Sequence, residues 1–258
     1  RQMGEKGTSV KALEEKKVEM LGKVYHMLTL AYGVPPTEFT WSQRDKDGKV
    51  VSTDKYTPLS FYNKLWGYDL NNDYVLVMND PSREYYKVYQ IEYDRHTYDG
   101  HDWVYLNLPN EEVKPMLIAS LKDSTAMYIS CDVNKFLNRQ KGVMDLKNFD
   151  YESLLGVTMT MDKKERIITH ASASSHAMTL IAVDIDKATS KPTKWMVENS
   201  WGKENGFKGN YIMTDEWFNE YMFRFVLNKK YVPESVAKLL KQKPIKLPAW
   251  DPMFAPEE

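Results

Sequence analysis

Cysteine is nearly absent from this chain: Cys131 is the single thiol in 258 residues, so no internal disulfide can form. That excludes a disulfide-stapled scaffold but names no compartment, because secreted proteins without bridges exist. Long apolar runs are missing as well. None approaches the roughly 20 residues that carry a helix across a bilayer, so no membrane is expected as partner. Charge of one sign is also lacking: 35 Lys and Arg are interspersed with 36 Asp and Glu, for a formal net charge of -1. A broad basic field is thereby excluded, and nucleic acid is not an expected partner. No secretory or transit segment is recognisable in the opening Arg1-Gln2-Met3-Gly4. This start reads as that of a fragment or processed chain whose targeting information lies in a missing N-terminus.

The residues that are present describe a globular protein. A hydrophobic content of 42% with 28% charged residues is enough to bury a core, in one large or two small domains. In residues 8–31, Val10, Leu13, Met20, Leu21, Val24, Met27, Leu28 and Ala31 recur near the helical period, between a Ser/Thr cap and Gly33. His26 in that helix reads as a satisfied structural histidine, and the mixed charges around it as a solvated face. Asp47-Gly48 predicts a hairpin joining Phe39-Thr40-Trp41 to Lys49-Val50-Val51, and Thr57-Pro58 starts a capped helix. Tyr74-Val75-Leu76-Val77-Met78 is a buried strand, stopped by Asn79-Asp80-Pro81.

Strands over 85–93 and 103–108 flank a polar loop in which Asp94, His96, Asp99, His101 and Asp102 crowd together. These ligand types suit a metal, but their spacing is no recognised metal motif and Asp99-Gly100 is turn chemistry. The loop is read as an exposed hairpin tip, without metal. Asn110 is expected to cap a helix over 111–122, with Pro115 in or near its first turn. A strand ending at Cys131 follows, then a less regular stretch over 132–160. Ile167-Ile168-Thr169-His170 reads as a strand end. After it come a strand at 211–213, a helix over 215–221, a strand over 223–227, a helix over 233–240 with Pro233 in its first turn, and a proline-bearing arm from 243 to 258.

The chemistry concentrates in two strand-like stretches. The first opens with His176 and runs through Leu180, Ile181, Ala182 and Val183; the second alternates through Trp195 and Val197 and ends at Asn199. If they pair, an imidazole at the head of one meets a carboxamide at the tail of the other. An Asn oxygen that accepts one ring N–H fixes the tautomer and leaves the second nitrogen to serve a nucleophile. That is the His/Asn half of a cysteine protease site. Cys131 precedes both in the required chain order, but it ends an apolar strand, where a free cysteine behaves as a small hydrophobe rather than an activated thiolate. His170 competes with His176 but lacks a strand after it.

His176-Ala177-Met178 and Glu198-Asn199-Ser200-Trp201-Gly202 resemble the His and Asn motifs of papain-like cysteine peptidases. With Met213-Thr214-Asp215-Glu216-Trp217-Phe218, Leu247-Pro248-Ala249-Trp250-Asp251-Pro252-Met253, Asn79-Asp80-Pro81 and Cys131-Asp132-Val133, the resemblance is to the bleomycin hydrolase and aminopeptidase C branch and covers most of the chain. It implies an α+β, papain-like fold: helical and hairpin insertions with part of the core over 1–119, an antiparallel β-barrel-like lobe carrying His176 and Asn199 over 120–245, and an extended arm over 246–258. It implies a cysteine-type aminopeptidase acting on peptides, with His176 and Asn199 catalytic and Trp201 shielding their contact. Glu258, at the end of the arm, would bind the α-ammonium of the substrate. The family's Gln and Cys-Trp nucleophile motif does not occur here, so a missing N-terminal segment is expected to carry the catalytic cysteine. No metal or organic cofactor is implied; a homo-hexamer and a cytoplasmic location are. The rival reading is a non-catalytic pseudo-peptidase that keeps the fold as a scaffold or binding module.

Overall fold

The computed structural model describes residues 2–97 and 99–254, which fall into two compact units, 1–68 and 69–258. The first holds helices α1 (Gln2–Glu5) and α2 (Val10–Tyr32), strands β1 (Phe39–Arg44) and β2 (Val50–Tyr56), and helix α3 (Pro58–Leu65). Ser9 caps α2 by accepting from the Ala12 amide, and Gly33 ends it at φ 83°. None of the α2 residues is buried, His26 included, so the structural role expected for that histidine is not seen. The hairpin forms, but its register pairs Phe39 with Tyr56 and Arg44 with Val50, which places the tip at Asp45–Lys49 and makes the strands longer than the turn signal indicated. Phe61 on α3 packs edge-on against Phe39, Trp41 and Tyr56, a cluster of half-buried rings in a unit that buries no described residue fully.

The second unit runs α4 (Leu70–Asp73), β3 (Tyr74–Met78), β4 (Val88–Ile91), β5 (Val104–Asn107), α5 (Asn110–Lys122), β6 (Met127–Cys131), β7 (Leu137–Asn138), β8 (Val143–Met144), α6 (Tyr151–Leu155) and α7 (Lys163–Ile168). It continues with β9 (His176–Ile185), β10 (Pro192–Glu198), β11 (Asn210–Thr214), α8 (Asp215–Tyr221), β12 (Met222–Asn228), α9 (Glu234–Leu239) and β13 (Ile245–Leu247). One 11-stranded sheet takes the order β13-β4-β5-β3-β12-β6-β9-β10-β11-β8-β7. The strands on either side of β9 pair antiparallel with it, whereas β13–β4, β3–β5 and β11–β8 are parallel. The fold is α+β. β3 is bonded directly to β12, so the strands of 74–107 share one sheet with those that follow residue 120.

Alternation along the strands sets the core: Leu180, Met178, Trp195, Val197, Ile129 and Tyr211 are buried, with Trp217 and Phe218 of α8 packed over them. Four local expectations change. The stretch around Ile167 is helical, because Asp162 and Glu165 form a capping box and Ile167 turns inward, after which His170 takes a left-handed φ of 58°. Asn110 is the first residue of α5 rather than its cap, and its Nδ2 donates to Asn219 Oδ1 at 3.1 Å. Pro115 lies beyond the first turn of α5 on an exposed position, and Pro233 is the cap of α9 rather than its first residue. No helix among the described residues is long and apolar enough to cross a membrane.

Candidate active site

Strand β9 begins at His176 and β10 stops at Glu198, so the antiparallel pair brings the head of one to the tail of the other. Beyond β10, the Asn199 amide donates to Gly209 O at 3.0 Å, which holds the chain as it leaves the sheet. His176 Nε2 lies 2.9 Å from Asn199 Oδ1. The same oxygen accepts the Ser200 backbone N–H at 2.8 Å. A backbone amide can only donate, so the atom facing it is the carbonyl oxygen, and the imidazole nitrogen bonded to that oxygen must also be a donor. The ring is therefore the Nε2–H tautomer whenever it is neutral. Nδ1 keeps its lone pair and has no hydrogen-bond partner among the described residues.

Trp201 covers this contact, its ring centroid 4.9 Å from that of His176 at 41°. Tyr211 meets the indole edge-on at 5.7 Å, and the Arg139 guanidinium lies 4.4 Å from the indole centroid. Burial pushes the Tyr211 phenol up, against the opposing pull of Arg139. The turn after Trp201 packs closely enough that only glycine fits at Gly206, which has φ 59° and would bring any Cβ onto the Tyr211 ring and within 2.5 Å of Asn210 O. Arg139 and Tyr211 were not anticipated: Arg139 sits in the irregular 132–160 stretch, and nothing in the local sequence connects it with Trp201.

Cys131 faces His176 in the β6–β9 register but is fully buried. Burial, reinforced by the charge of Asp132, pushes its thiol far up, the reverse of what a nucleophile needs. His170 stands just past the C-cap of α7, in a left-handed conformation, and not at the head of a strand. In the polar loop, His96 packs edge-on against Trp103 at 4.9 Å, and Arg95 pairs with Asp102 at 3.6 Å. Among the described residues no group of three or more His, Cys, Asp or Glu could hold a metal ion.

The arm is docked as far as it is described. Met253 is fully buried, its carbonyl accepts the Ser174 N–H at 3.1 Å, and Phe254 packs on Tyr105 at 5.1 Å. Asp251, 1% exposed, is paired with Arg83. Arg224 ties the same region together: its Nε donates to Ser174 Oγ at 2.7 Å and its guanidinium lies 5.4 Å from the Phe254 ring. The arm thus reaches a residue two positions from His176. Glu258 lies outside the described residues.

Residues 1–254 match the model of the Peptidase C1-like family. The chain is 41% identical over 241 residues to human bleomycin hydrolase (Homo sapiens), covering 92% of this chain and 53% of the relative. It is 37% identical over 254 residues to aminopeptidase C of Lactobacillus delbrueckii subsp. lactis, covering 96% and 56%. The crystal structure of pepW from Lactobacillus rhamnosis HN001 superposes with a TM-score of 0.87 at 33% identity, over 98% of this chain and 57% of that one. The chain thus spans about half the length of the curated relatives it matches. Sequence and structure agree that the fold is that of papain-like peptidases, and that the chain belongs to the Peptidase C1-like family.

Proposed function

We propose that this chain supplies the histidine and asparagine of a cysteine-type aminopeptidase whose nucleophile is a cysteine outside the 258 residues. The observation that carries the reading is the 2.9 Å contact between His176 Nε2 and Asn199 Oδ1, with the carboxamide orientation fixed by the Ser200 amide. Nδ1 of His176 takes the proton of the thiol, giving a thiolate and an imidazolium. The thiolate attacks the peptide carbonyl, and the imidazolium returns its proton to the leaving amine as the C–N bond breaks. Water, deprotonated at the same nitrogen, then hydrolyses the acyl-enzyme. Asn199 holds the ring in the plane this exchange requires. Trp201 keeps water from the hydrogen bond, which is stronger in the lower local dielectric.

Aminopeptidase action, rather than cleavage within a chain, is supported by the names of the relatives and by the docked arm. In this reading Glu258 at the end of the arm pairs with the substrate's α-ammonium, and a charge pair of that kind selects for a free amino terminus.

The test is hydrolysis of aminoacyl-coumarins by the whole protein, including the segment that carries the nucleophile, and by its His176→Ala and Asn199→Ala variants. Turnover should vanish in the first and fall about tenfold or more in the second. Deleting 254–258 should release cleavage within chains. A wild-type protein that is inert toward these substrates would replace this reading with that of a non-catalytic scaffold.

A further inference from the structure

Arg139 stands where the proposed mechanism needs no charge. It is exposed, it forms no ion pair with any described residue, and its guanidinium is stacked on the face of Trp201, 4.4 Å from the ring centroid. It sits on the turn between β7 and β8, which is tied down at several points. The Gly142 N–H donates to Asn138 O at 2.9 Å, the Lys141 N–H to Asn138 Oδ1 at 3.1 Å, and the Ile212 N–H to Gly142 O at 2.8 Å. Gly142 in turn leaves no room for a Cβ, which would lie 2.5 Å from the Cα of Gly206. The turn that carries Arg139 is therefore seated against the turn that follows Trp201.

Stacking uses the face of the guanidinium plane. Its N–H groups lie in that plane and point outward from the edge, the geometry that receives a carboxylate side-on. Trp201 has its ring 4.9 Å from that of His176. In the mechanism above, on which this inference rests, the imidazolium protonates the leaving amine, so the leaving side of the substrate emerges past His176. An extended peptide advances roughly 3.4 Å per residue, which brings a group two or three residues past the scissile bond level with a side chain two ring contacts away from the imidazole.

We propose that Arg139 is a specificity-determining residue that receives a carboxylate on the leaving-group side of the scissile bond. Two sources share this chemistry: the terminal α-carboxylate of a short peptide, and the side chain of Asp or Glu in a longer one.

The first arm of the test is a ratio, which cancels general losses of activity. In the whole protein, kcat/KM for a tripeptide acid is divided by that for its C-terminal amide, and kcat/KM for amidated longer peptides carrying Glu past the bond is divided by that for their Gln counterparts. One of these ratios should be about five or more in the wild type, consistent with a partly solvated charge pair. It should fall to near one in Arg139→Gln, stay intermediate in Arg139→Lys, and shrink at high salt. The acid-to-amide ratio identifies the terminal carboxylate, and the Glu-to-Gln ratio the side chain. Ratios near one in the wild type, or unchanged in Arg139→Gln, overturn the proposal.

The second arm is independent of turnover, so an inert enzyme would sink the peptidase reading without deciding this one. In the whole protein the Trp201 indole N–H, assigned with Trp201→Phe, is followed by NMR during titration with an N-acetylated tripeptide acid or its amide, ligands whose blocked amino terminus keeps an aminopeptidase from turning them over. A shift specific to the acid and lost in Arg139→Gln supports the assignment. Equal shifts with acid and amide, or none with either, overturn it.

Discussion

Replacing Arg83 by alanine should loosen the arm from the sheet, and the structure gives the size of the effect. Arg83 pairs with Asp251 and has Asp80 Oδ2 at 3.9 Å; both carboxylates are 1% exposed, whereas Arg83 is 32% exposed. Burial, with the charge of Asp251 adding to it, already pushes the Asp80 carboxyl up, against hydrogen bonds from Ser82 and the charge of Arg83. Removing the guanidinium leaves two buried acids facing one another. Breaking a fully buried pair costs about 3–5 kcal/mol, and discounting for the partly solvated arginine gives about 2–3 kcal/mol. The loss should appear first at the arm, whose Met253 carbonyl accepts the Ser174 N–H. At 1.36 kcal/mol per tenfold, Ser174 amide exchange should speed up roughly 30- to 150-fold. The effect should also depend on pH. A carboxyl whose pKa is raised in the folded state holds more protons there than when unfolded, so stability falls as pH rises through the interval above its ordinary value of 3.8. In Arg83→Ala that interval widens, so the penalty should be small near pH 4 and grow toward neutrality. Adding Asp251→Asn should restore much of the protection. Ser174 exchange within threefold of wild type, or a penalty that does not change with pH, would refute the account.

Other consequences are open to simpler measurement. Lys163 is buried, its ammonium donating to Asn79 Oδ1 and Met222 O at 2.5 Å each, and burial lowers it from 10.5 to about 7. Between those values the unfolded chain binds more protons than the folded one, so stability should rise with pH, by up to about 2 kcal/mol between pH 7 and 9. Urea midpoints across that range should show the slope in wild type and a flatter one in Lys163→Met, whatever the variant's baseline. Gly206→Ala places a methyl against Asn210 O and the Tyr211 ring at φ 59°, which should cost about 1–3 kcal/mol in urea unfolding; a loss below 0.5 kcal/mol would show that the turn is not close-packed.

The parts of this fold that could be read from the sequence are those in which one period runs uninterrupted. The apolar strand through Leu180 and Val183, the alternation of Trp195 and Val197, and the capped helix Asp215–Tyr221 each announce themselves locally. Ile167 misled because two adjacent β-branched residues look like a strand, whereas the capping box of Asp162 and Glu165, only a few residues upstream, decides for helix. The parallel pairings of β3 with β5 and β11 with β8 join segments whose order in the sheet no local pattern encodes. Arg139 could not be read for the same reason: its meaning lies in the ring it covers, more than sixty residues away in sequence.

The pairing of His176 with Asn199 depends on the second of two irregularities in the β9–β10 ladder, the one between Met196 and Val197. From Lys194 to Met196, β10 faces Asp184 to Ala182 in step, but Val197 faces Leu180, so Ile181 is skipped. Continued without the skip, the ladder would set Asn199 opposite Thr179, and because successive side chains alternate, its carboxamide would lie on the other face from His176. With the skip, the continued ladder sets Asn199 opposite Met178, on the face that His176 shares with Met178 and Leu180. The bulge therefore does two things at once: it moves the amide one residue nearer the imidazole, and it turns it to the same side. A bulge next to the proposed catalytic pair is what this geometry demands, since a regular hairpin of these two strands would keep every hydrophobic contact upstream of Met196 and still hold the two polar groups apart.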